Sequence, residues 1–250
     1  MSIAAIRRLT FATLMIAVIA GCAHTISPGG KSADTLFKEG ETYFAQGNYE
    51  DAIAQWKRVR DTYQSPEMTA LADIKIADAQ YADKNYIEAA AAYEDFRKLH
   101  PSNERAPYAL FRQALSNYSQ MGTIDTDQTA VKNAVTLFRE FLQKYPKSEY
   151  AAEAQDKLDV CRQRQLEYEI YIARFYLRAD DYAAAIKRLE GALKAFPGPA
   201  GHDETLYYLG LAYLKSGQKE RARDTFASLS EKFPTSRFIV DARKAMDKYY

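Results

Sequence analysis

Near its start the chain carries a mainly apolar run, residues 9–20, and then changes character. Residues 23–32 are rich in Ser, Gly and Pro, show no periodicity and read as a flexible tether. Beyond them apolar side chains return at the three- and four-residue intervals of an amphipathic helix, against a background of Ala, Leu, Glu, Lys, Arg and Tyr. Breaks in this pattern fall at Ser65-Pro66, His100-Pro101, Tyr145-Pro146, Phe196-Pro197 and Phe233-Pro234. Proline lacks an amide hydrogen and clashes with the turn before it, so each of these is read as a helix stop.

Between the stops one sub-pattern recurs. Gly40, Tyr43, Gly47-Asn48-Tyr49, Ala52 and Trp56 are echoed by Gly210, Tyr213, Gly217-Gln218, Ala222, Phe226 and Pro234. Ala77, Asn85-Tyr86, Ala89, Tyr93 and Pro101 form another copy, as do Ala173, Tyr176, Asp181-Tyr182, Ala185, Leu189 and Pro197. These offsets match the tetratricopeptide (TPR) unit of about 34 residues, in which two antiparallel helices pack through small residues and an aromatic fills the turn. A third unit is irregular: its first helix is expected around residues 111–121, a polar stretch follows at 122–128, and the second helix resumes near Ala134. The fourth unit has an extended first helix, expected over 149–178, and a closing helix is expected over 237–249. The pattern predicts an all-α, right-handed TPR-like superhelix of about five helix pairs plus a C-terminal capping helix.

The first residues carry an address. Arg7 and Arg8, the apolar run and then Ile19-Ala20-Gly21-Cys22 have the three parts of a secretory signal ending in a bacterial lipobox. The apolar run is too short to span a bilayer comfortably. Cleavage before Cys22 and acylation of its thiol and amine would anchor the chain, since each buried methylene contributes about 0.8 kcal/mol. Ala23, where an Asp would signal inner-membrane retention, favours an outer-membrane destination. The expected organisation is a removed signal at 1–21, a lipidated tether at 22–32, N-terminal repeats at 33–146 and C-terminal repeats with the capping helix at 147–250. The other cysteine, Cys161, lies in a helical stretch and is expected to be a small buried apolar residue.

Charge narrows the partners. Without Arg7 and Arg8, 32 cations face 33 anions, and no electrostatic reason to expect nucleic acid remains. His24, His100 and His202 pair with no Cys, Asp or Glu at metal-ligand spacing, so no metal and no cofactor beyond the lipid on Cys22 is expected. Asp125-Thr126-Asp127 lacks the Gly and distant Glu of a calcium loop and reads as a helix N-cap. With neither a phosphate loop nor a nucleophile elbow, the chain reads as a non-enzymatic holder of other proteins. Inward-pointing offsets of the first two units select Phe37, Glu41, Phe44, Ile74, Asp78 and Tyr81 as a peptide groove; contact with a neighbouring helix is the alternative for its apolar members.

The run from Leu166 to Arg178 holds Glu169-x-x-x-Ala173-x-Phe175-Tyr176, and Arg188-Leu189-Glu190 follows. With the lipobox, Tyr145-Pro146-Lys147-Ser148-Glu149-Tyr150-Ala151 and Asp125-Thr126-Asp127-Gln128, these resemble the BamD (ComL) family of lipoproteins of the β-barrel assembly machinery. That resemblance implies a scaffold that docks on a BamA-like barrel insertase and meets unfolded outer-membrane proteins, with other assembly lipoproteins as further partners. It places docking on the fourth unit, at Glu169, Tyr176, Arg178, Lys187, Arg188 and Glu190. Two other readings stand beside it: a TPR lipoprotein of the pilotin type that assists secretin or pilus assembly, and a lipid-anchored cell-wall enzyme, which lacks a catalytic constellation.

Overall fold

A computed structural model describes residues 31–62, 65–198 and 201–249, so Cys22, His24 and the lipobox lie outside the described residues. Among these are eleven helices and no strand: α1 (Ala33–Ala45), α2 (Tyr49–Thr62), α3 (Pro66–Ala82), α4 (Tyr86–Leu99), α5 (Ala106–Ser119), α6 (Thr129–Lys144), α7 (Ala151–Arg178), α8 (Tyr182–Ala195), α9 (His202–Lys215), α10 (Lys219–Lys232) and α11 (Phe238–Tyr249). The first ten form five antiparallel pairs, and α11 packs mainly on α9.

Local chemistry sets the helix ends. Ser32 is the N-cap of α1, its Oγ accepting from Thr35 N at 3.2 Å. Pro66 opens α3 behind the capping Ser65, and Pro107 lies in the first turn of α5. The missing amide of a proline costs nothing in a first turn, so these two residues start helices. The helix before Ser65-Pro66 ends at Thr62, so the expected break is there and Pro66 opens the next helix as well, while α5 starts at Ala106, ahead of the expected 111. The long helix begins at Ala151 because the preceding residues form a turn, with Ser148 N bonded to Tyr145 O and Ala151 N to Ser148 O. His202, expected in a loop, is the first residue of α9.

Four pairs share one turn. Gly47, Lys84, Asp180 and Gly217 take left-handed φ values of 79°, 63°, 57° and 79°. Each lets the next amide reach back five residues, as in Asn48 N to Tyr43 O (2.9 Å) and Gln218 N to Tyr213 O (2.8 Å). The third pair lacks this turn. Its polar loop feeds α6 through Asp127, whose Oδ1 accepts from Thr129 N at 3.0 Å and Thr129 Oγ1 at 2.9 Å, which starts α6 at Thr129 and not near Ala134.

Packing explains the repeated small residues. A Cβ on Gly40 would stand 2.5 Å from Trp56 Nε1, and one on Gly210 2.5 Å from Phe226 Cε1. The buried Trp56 donates its indole N–H to Phe37 O at 3.3 Å. Helix α7, 28 residues or about 42 Å long at 1.5 Å per residue, serves two cores. Ala154, Leu158 and Cys161 pack with Leu110, Phe138 and Phe141 of the first half. Leu166, Ile170, Ala173 and Leu177 pack with the second half. Between them lies the polar stretch Arg162-Gln163-Arg164-Gln165. Cys161 is fully buried with Sγ 3.8 Å from Met121 Sδ, and burial pushes its thiol up to about 12. Among the described residues no helix is long and apolar enough to cross a membrane.

Candidate partner-binding surfaces

Helices α1 and α3 and the starts of α5 and α7 enclose an open cavity of about 690 Å³ in the first half. Phe37, Glu41, Ile74 and Asp78 all line it. Ile74 is 2% exposed and so forms floor, while Glu41 reaches Lys75 Nζ at 3.4 Å. Tyr108, Tyr150 and Arg105 line the far wall. Those three come from the irregular third unit and the turn before α7, where repeat offsets gave no guide; Pro107 as a helix opener was the available signal.

Phe44 and Tyr81 are not among the residues that line this cavity. Phe44 sets its ring 5.4 Å from Tyr49 and 5.9 Å from Trp56. Tyr81 lies 5.2 Å from Tyr86, beneath the Arg112 guanidinium at 3.8 Å, with its hydroxyl 3.2 Å from Ser119 Oγ. Both occupy the last turn of a pair's first helix, where the chain doubles back and presents an aromatic five residues on.

Beneath the groove, Asp78 Oδ1 accepts from the hydroxyls of Tyr93 (2.6 Å) and Tyr108 (2.7 Å), and Arg112 Nε donates to Tyr93 Oη at 3.1 Å. Burial, and then the Asp78 charge, push both phenols above their usual range. They therefore stay protonated and keep donating, which ties α3, α4 and α5 into one rigid wall.

A second cavity of about 540 Å³ lies between α7 and α8, lined by Glu169, Tyr176, Lys187, Arg188 and Phe196 among others. Arg188 Nη1 donates to both Glu169 oxygens, at 3.0 and 3.3 Å, and this bond raises the guanidinium pKa further. Glu190 faces elsewhere because two residues along a helix rotate a side chain by about 200°. Its Oε1 accepts from Tyr213 Oη and from Arg221 Nη2, both at 2.5 Å, and so joins α8 to α9 and α10. Arg178 is exposed in the last turn of α7.

The model of the YfiO family, described as outer membrane lipoprotein, matches residues 30–227, which takes in both cavities. The chain belongs to this family. A relative from Caulobacter vibrioides, outer membrane protein assembly factor BamD, is 29% identical over 241 residues, covering 94% of this chain and 79% of the relative. The protein of the same name from Neisseria meningitidis serogroup A is 28% identical over 221 residues, covering 84% of this chain and 83% of the relative. Among solved structures, the TPR2AB-domain:pHSP90 complex of yeast Sti1 aligns at 14% identity and a TM-score of 0.44, over 87% of this chain and 85% of that one.

Proposed function

We propose that this chain is a scaffold for assembling outer-membrane proteins, held at the periplasmic face of the outer membrane by lipid on Cys22. In this reading the first-half groove receives apolar segments of unfolded barrel proteins, and the α7–α8 cleft docks a BamA-type insertase through Arg188 and Glu169. The scaffold contributes binding and position, with no chemistry of its own.

One observation carries the reading: the family-matched stretch holds two separate surfaces of different character, an aromatic-walled groove and a cleft centred on an ion pair. Aromatic side chains open along such a groove gain by covering an apolar segment that an unfolded chain cannot bury itself, while the charged rim of Glu41, Lys75 and Arg105 holds the segment's polar backbone. A half-exposed ion pair contributes little to stability and is free to exchange partners at an interface. Co-purification of the lipidated protein from detergent-solubilised outer membranes tests this. A BamA-like barrel should be recovered with the wild type and lost with Arg188→Glu, while Phe37→Ser with Tyr108→Ser should keep the barrel and lose binding of unfolded porin segments. Recovery of a secretin in place of the barrel would overturn the proposal.

A further inference from the structure

Helix α7 carries two seams. Leu166, Ile170, Ala173 and Leu177, at spacings of four, three and four, form the seam buried in the second core. Shifted by two residues, Arg164, Tyr168, Tyr171, Phe175 and Arg178 repeat the spacing as four, three, four and three. A shift of two residues rotates a seam by about 200°, so the second seam lies on the face opposite the core. There Phe175 is 55% exposed and Tyr171 38%, two of the few large apolar side chains so open to solvent among the described residues. The α7–α8 cleft lies on a different flank, marked by Glu169 and Tyr176. Another flank meets α9, where Arg174 sits over the Tyr208 ring at 5.3 Å.

We infer that this outer seam of α7 docks an amphipathic helix of another protein, whose apolar stripe packs on Tyr168, Tyr171 and Phe175 and whose ends carry carboxylates facing Arg164 and Arg178. A four-three repeat is the spacing at which side chains of two helices interlock. Aromatics at its centre supply buried area, and cations at both ends set the complementary charge. The two arginines are 14 positions apart, about 21 Å along the axis, so the partner needs acidic residues roughly four turns apart. Arg164 holds Glu167 only at 3.9 Å, an exposed pair that a better-placed carboxylate can displace. A second copy of this chain fits poorly, because pairing two such seams, parallel or antiparallel, puts arginine opposite arginine at both ends.

The test uses the full lipidated chain in detergent and a fluorescein-labelled helical peptide of 21 residues, with leucines at four-three spacing and glutamates at both ends. A matched peptide carries lysines at the ends. Fluorescence anisotropy should show the glutamate peptide binding at least tenfold more tightly, with the preference reversed in Arg164→Glu/Arg178→Glu and both affinities falling tenfold in Phe175→Ser. Phe175 is more than half exposed, so this variant should keep the wild-type circular dichroism spectrum. Equal binding of the two peptides, no binding of either, or affinity unmoved by Phe175→Ser would overturn the inference. So would sedimentation showing a dimer that Phe175→Ser dissolves.

Discussion

Glycine is used in this chain for two opposite reasons, and substitution separates them. At Gly40 the added methyl would meet the ring of a fully buried Trp56 at 2.5 Å. Gly40→Ala should therefore destabilise the protein by about 1–3 kcal/mol, the range for overpacking a filled core, as read from urea denaturation. Gly191, inside α8, has nothing within 4 Å of its added Cβ. There Gly191→Ala should stabilise by roughly 0.5–1 kcal/mol through helix propensity and a less flexible unfolded chain. Cys161 gives a pH prediction at the same scale. Its thiol ionises near 9.0 when unfolded but only at about 12 when buried, so the unfolded state loses its proton first. Stability from this site is whole below pH 9 and declines as pH rises toward 12. Denaturation at pH 8 and pH 10.5 should show the loss, and Cys161→Ala should reduce it. A burial reading of Cys161 was available from its helical context alone, whereas the contact of Gly40 with Trp56 was visible only as a recurring offset.

At the level of elements, the shared turn of four pairs makes a sharper test than any single contact. Lys84 adopts a left-handed φ that costs a side-chain-bearing residue about 1–2 kcal/mol, and it is exposed. Lys84→Gly should raise the denaturation midpoint, and Gly217→Ala should lower it by a comparable amount. Most elements were legible because helix signals are local: apolar period, capping Ser or Asp, and proline. Proline marked the breaks and at Pro66 also opened a helix, since the same ring geometry suits a first turn as well as a break. The third pair differs most from the repeat pattern, because in its loop the left-handed turn is replaced by bonds that the Asp125 and Asp127 carboxylates accept from Thr123 Oγ1 and Thr129 N.

Among the described residues four apolar clusters form, three before the middle of α7 and one after it, and α7 joins the two sides. Among the described residues no helix before α7 packs extensively against a helix after it, so coupling between the halves runs through that helix. The polar residues 162–165 mark where the first core ends and the second begins. Gln165→Pro, which removes a helix bond and clashes with the turn before it at a cost of about 3 kcal/mol, should split unfolding into two steps. Trp56, the one tryptophan of the chain, lies in the first half and reports that half alone by fluorescence, while far-ultraviolet circular dichroism reports both. The two transitions should coincide in the wild type and separate in the variant.

The amino-acid sequence by itself determined what depends on neighbours within a few turns: helices, pairs, the period of the repeat and the small residues each pair needs. It also placed Phe37, Glu41, Ile74 and Asp78 on one side of their helices, where they meet in a single cavity. Only the tertiary structure decided which aromatics that cavity keeps. Phe44 and Tyr81 share the helical face but lie one turn too late, where the returning helix claims them, and Tyr108 of α5 and Tyr150 of the turn before α7 arrive from far along the chain. The same holds for α7, whose two seams share one spacing. Packing of α8 and α9 against one of them is what leaves the other open, because no further helix of the described residues covers the opposite face of α7 there.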